Sequence, residues 1–132
     1  MLFSLVALLA LGGCVSLPQT EALRATGPAG LPVRAELVDV PYYRQEDLMC
    51  GPTSLAMALN AVGVDANVTS LTEQVYLPGR KGSLQIEMLA ATRRNGALAY
   101  QLAPDLRAVL QEVAAGTPVV ALLNLSGIQF WP

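Results

Sequence analysis

The part of this sequence best equipped for chemistry is Gln45 followed by Cys50-Gly51-Pro52. Proline is tolerated in the first turn of a helix, where its missing N–H has no partner to lose, so Gly51-Pro52 predicts a helix start at the cysteine itself. A thiol placed there faces unpaired N–H groups and the positive end of the helix dipole, and both favour thiolate over thiol. The thiolate is the nucleophile, and the same N–H groups can receive the oxyanion formed when it attacks a carbonyl carbon. Gln45 lies in the loop entering the helix, and its side-chain NH2 can offer a second, uncharged donor to that oxygen. Cys50 and Gln45 are therefore the candidate catalytic residues, for acyl transfer through a thioester.

The elements that must position them read as follows. Residues 35–43 form a short extended segment, with Pro41 pushing Val40 toward β or polyproline geometry. Leu55, Ala56, Leu59 and Val62 repeat at helical spacing, and Gly63 closes that helix. Ser70-Leu71-Thr72-Glu73 has the form of a capping box for a second helix running toward Tyr76, stopped by Pro78-Gly79. Ser83 is expected to cap a third helix, with Leu84, Met88, Leu89 and Thr92 on one face and Arg93 and Arg94 at its negative end. Residues 97–102 suggest a strand, Asp105 caps a helix ended by Gly116, and residues 119–125 have the length of a buried strand, with another beginning at 128–131.

Gln45, then Cys50-Gly51-Pro52, then a helix holding Leu55, Ala56 and Met57 resembles the bacteriocin-processing cysteine peptidase family, whose members cut leader peptides, often after paired glycines. The resemblance continues through Gly82-Ser83-Leu84 and Gly116-Thr117-Pro118-Val119-Val120 and covers about Leu37 to Trp131. It implies an α+β, papain-like fold, of which this chain carries the N-terminal helical part and the first strands of the antiparallel sheet. It also implies a peptidase with Cys50 as nucleophile and Gln45 as oxyanion donor, acting on peptide or protein substrates without a cofactor. The family's later His and its Asp or Asn have no counterpart here, because the 132 residues contain no histidine. The expectation is a partial peptidase domain over residues 35–132, truncated where the His strand is due and inert as it stands.

Composition narrows the field. Without histidine the usual general base and the commonest metal ligand are both missing, so no metal is expected. Glu46 and Asp47 have no second acidic cluster beside them and read as loop-solvating residues, while Met49 and Met57 read as packing. A formal charge of −2 with no basic run leaves no footprint for nucleic acid. The same missing base supports an alternative from another class: a non-catalytic pseudo-peptidase that binds peptides or proteins in the cleft without cutting them.

The N-terminus carries a separate chemistry. Residues 2–11 form an apolar run of about half the roughly 20 residues a bilayer-spanning helix needs, which suits a signal peptide. Leu11-Gly12-Gly13-Cys14 follows and resembles the lipobox of bacterial lipoproteins, although no Lys or Arg precedes the apolar run. The expectation is a signal peptide over residues 1–13, lipidation of Cys14, and a location in the bacterial cell envelope, on the outer membrane facing the periplasm, since Val15 is not an inner-membrane retention aspartate. Residues 14–34, rich in proline and glycine, read as a flexible tether reaching about 25 Å.

Overall fold

The computed structural model describes residues 17–27 and 29–123. Cys14 and its lipobox, the segment 128–131 and the end of the expected strand 119–125 lie outside them. Among the described residues the order is α1 (Pro18–Thr26), α2 (Cys50–Ala61), α3 (Val68–Val75), β1 (Tyr76–Leu77), a 3-10 turn (Pro78–Arg80), β2 (Gly82–Ser83), α4 (Gln85–Arg94) and α5 (Leu106–Ala114). The two short strands pair antiparallel, Tyr76 opposite Ser83 and Leu77 opposite Gly82. The chain is α+β, as the resemblance implied, and its arrangement is consistent with part of a papain-like fold. No helix among the described residues is long and apolar enough to cross a membrane.

The core is made where α2, α3 and α4 meet. Leu55, Ala56 and Leu59 of α2 bury against Leu71 and Val75 of α3 and Ala91 of α4, with Tyr43, Met88 and Ala97 packed around them. Full burial of a leucine is worth about 1.5–3 kcal/mol, so Leu59 and Leu71 are the largest single contributors. Local signals set the helix ends. Gly63, at φ 79°, ends α2 and donates its N–H to Asn60 O at 3.0 Å. Asn60 also ties the following loop down, its Nδ2 donating to Ala56 O and Ala66 O at 2.8 and 2.7 Å.

Several expectations are corrected. The cap of α3 is Asn67, whose Oδ1 accepts from Ser70 N at 2.8 Å, and Ser70 sits inside the helix. The capping-box spacing was present, but Asn67 supplies the same acceptor one turn earlier, and Val68 and Leu71 then face the core. Ser83 belongs to β2, and Leu84 takes the cap position of α4 without a side-chain bond. Residues 35–43 and 97–102 are irregular, as are 119–123, where Leu122 is 99% exposed. These stretches have strand-like composition but no partner strand among the described residues, and an unpaired strand has no ladder to hold it. Asp105 does cap α5, its Oδ1 accepting from Arg107 N at 3.0 Å.

The segment read as a tether is also different. Pro18–Thr26 form α1, with Pro18 in the first turn, Glu21 near the start and Arg24 near the end. Those are proper helix signals, missed because Ala22, Leu23 and Ala25 make no apolar stripe and no residue of α1 is buried.

Candidate active site

Cys50 is the first residue of α2 and its thiol is free and exposed. The chain reaches it through a tight turn in which Met49 N donates to Glu46 O at 3.1 Å and Leu48 takes a positive φ of 65°. That conformation favours glycine or asparagine, and a leucine held in it stores about 1 kcal/mol of strain. The first helical bond runs from Thr53 N to Met49 O at 3.1 Å. Pro52 has no N–H, so the N–H groups of Cys50 and Gly51 are the ones left without a backbone partner among the described residues. Ser54 Oγ donates to Cys50 O at 2.6 Å and also lies 3.1 Å from Gly51 O, which ties both carbonyls back into the helix.

Two neighbours clamp this helix start. Met49, just before the cysteine, rests on α3, with Thr72 Oγ1 3.9 Å from its sulfur. Gly51, just after it, lies against β2: a Cβ added there would fall 2.6 Å from Ser83 Cβ and meet Ser83 Oγ as well. The glycine of Cys-Gly-Pro is thus required by the close approach of hairpin and helix. Thr53 Oγ1 and Ser83 Oγ, both beside this turn, are buried without a hydrogen-bond partner among the described residues. Each such hydroxyl costs about 1–3 kcal/mol. Gly51 and Ser83 lie far apart in sequence, and only the hairpin brings them into contact.

Gln45 lies in the loop ahead of the helix, exposed, and its amide forms no hydrogen bond among the described residues. The structure therefore puts Cys50 where the sequence reading wanted it, and leaves the Gln45 amide in solvent rather than bonded at the cysteine. Glu46 and Asp47 are exposed, and the described residues hold no group of three or more potential metal ligands.

A second feature was not foreseen. A largely apolar cavity of about 500 Å³ opens between Leu59 of α2, Met88 of α4, Val109 of α5 and the segments 97–105 and 117–122. Cys50 does not line it. At its rim Tyr100 donates its hydroxyl to Glu112 Oε2 at 2.7 Å, and this bond to a carboxylate, which the neutral phenol makes and the phenolate cannot, raises the Tyr100 pKa above its usual 10.

Residues 37–130 match the model of the Peptidase_C39 like family. Neither the curated proteins nor the solved structures gave a match. The matched stretch takes in the Cys50 helix start, the hairpin it rests on and the whole apolar core, more than half of the chain. This chain accordingly belongs to the Peptidase_C39-like family, a family of peptidase hydrolases.

Proposed function

We propose that the protein is a cysteine peptidase acting on exported or periplasmic peptides, with Cys50 as the nucleophile. The observation that carries the reading is an exposed thiol at the first position of α2, next to two N–H groups that no backbone carbonyl among the described residues occupies. Attack of the thiolate on a peptide carbonyl forms a tetrahedral oxyanion, held by the Cys50 N–H and by Gln45 once its side chain swings over the cysteine. Collapse expels the amine and leaves a thioester on Cys50, which water then hydrolyses. Both proton transfers require a base, and no histidine among these 132 residues supplies one, so in this reading turnover needs an added base. In the same reading Cys14 carries the lipid that holds the protein to the outer membrane.

The test uses the chain with an activated acyl ester and follows acylation of Cys50 by mass spectrometry. Acylation is expected to be slow, to be accelerated by added imidazole, which replaces the missing base, and to vanish in Cys50→Ser. Removing an oxyanion donor commonly costs on the order of a hundredfold, so Gln45→Ala is expected to slow the imidazole-assisted step by about that factor. Unassisted peptide turnover that Cys50→Ser abolishes would contradict the need for an outside base. The lack of histidine favours one second reading, a lipid-anchored pseudo-peptidase that binds peptides without cutting. It predicts saturable peptide binding with no acyl-Cys50 at any imidazole concentration.

A further inference from the structure

Helix α1 has no buried residue, yet it is not loose. Gln19 grips the start of α5 with both ends of its amide: Oε1 accepts from Leu106 N at 2.6 Å, and Nε2 donates to Pro104 O at 3.2 Å. Leu106 N is one of the orphan donors every helix start leaves open, and Asp105 satisfies a different one, Arg107 N. Gln19, 87 residues away in sequence, completes the cap. A third bond fastens the far side, Arg107 Nη1 to Ala29 O at 3.0 Å. Gln19 also lines the apolar cavity, whose wall includes the segment that its two bonds immobilise.

We propose that α1 is a latch of the domain, fixing the start of α5 and the cavity wall at 97–105, and that it holds this end of the domain close to the bilayer. The second half rests on the reading of Cys14 as lipidated. Only Val15 and Ser16 separate Cys14 from Leu17, the first described residue, and three peptide links stretch to about 11 Å at most. A free tether over 14–34 would give about 25 Å and no preferred orientation. With α1 latched, the lipid surface lies next to the α1–α5 end, the side on which Gln19 lines the cavity. All three bonds are polar and exposed, so the latch is reversible at modest cost.

The experiment compares the full chain with Gln19→Ala and Gln19→Glu. Amide exchange at Leu106 and across 98–105 is expected to rise about fivefold in Gln19→Ala, the factor that corresponds to about one net hydrogen bond. Gln19→Glu keeps the acceptor for Leu106 N and should restore slow exchange at that amide, while the core amides of Leu71 and Val75 stay unchanged in both. Equal exchange at Leu106 in wild type and Gln19→Ala overturns the latch. For the membrane half, the mass of the protein purified from the bacterial envelope first reports whether Cys14 is acylated. The acylated chain, labelled at Cys50 and placed in phosphatidylethanolamine–phosphatidylglycerol vesicles, should transfer energy to labelled headgroups more strongly than Gln19→Ala does. An unacylated Cys14 removes the anchor reading and the membrane half with it. Acylated protein with equal transfer in the two forms overturns the membrane half alone, and leaves the anchor reading standing.

Discussion

The core between α2, α3 and α4 and the α5 side of the cavity are held in place by different physics. Around Leu55 and Leu59, and through Leu71, Val75 and Ala91, buried aliphatic side chains fix α2, α3 and α4 against one another. On the cavity side, α5 has no buried residue, and it is positioned by caps and polar contacts from Asp105, Gln19, Arg107 and Tyr100. Apolar packing is non-directional but large, while each exposed hydrogen bond adds only about 0.5–1.5 kcal/mol net. The nucleophile stands on the packed side, where Met49 and Gly51 clamp the first turn between α3 and the hairpin. The difference teaches that the thiol stands on the apolar-packed part of the molecule, whereas among the described residues α1 and α5 bury no side chain and rest on polar contacts.

The sharpest way to break this contrast is a pair of leucine truncations. Leu59→Ala, at 2% exposure, is expected to lower unfolding stability by about 3 kcal/mol, whereas Leu110→Ala on α5, at 38%, should cost only about 1 kcal/mol. Urea unfolding followed by circular dichroism reads both, and equal losses would erase the distinction. Next in size is Gly51→Ala. The added methyl must displace Ser83, an overpacking expected to cost about 2 kcal/mol and to shift the first turn of α2. Ser83→Gly in the same chain should recover most of it, and a double-mutant cycle showing no coupling would mean that helix and hairpin do not touch there.

Helix caps sharpen the comparison at a smaller scale. Asn67→Ala is expected to cost about 1 kcal/mol of global stability because α3 belongs to the packed region, while Ser70→Ala should be close to neutral. Asp105→Ala loses a comparable bond, but its effect should appear as faster amide exchange within α5 with little change in the global midpoint. The smallest effect is spectroscopic. The raised Tyr100 pKa means that its bond to Glu112 contributes fully below pH 10, the unfolded value, and is lost as pH rises through the higher folded value. In ultraviolet titration of phenolate, the component that Tyr100→Phe removes should titrate above pH 10. Loss of an early component instead would reverse the sign assigned here.

Much of this molecule is decided locally and could be read residue by residue. Pro52 beside Cys50, the helical repeat of Leu55 and Leu59, the stop at Gly63 and the cap at Asp105 each act within one or two turns, so sequence alone located the thiol at a helix start. Sequence also determined the family, since Gln45 and Cys50-Gly51-Pro52 carry the resemblance that the match over residues 37–130 then established. What the tertiary structure decided lies in contacts between distant residues. Gln19 capping Leu106, Ser83 pressing on Gly51 and Met49 seated on Thr72 leave no periodic trace, because periodicity reports which face of an element is apolar and not which element it meets. The strand expected at 97–102, and the described part, 119–123, of the one expected at 119–125, are irregular for the same reason. Their composition fits a sheet, but a strand exists only when a partner lies alongside it, and partnership is a property of the fold.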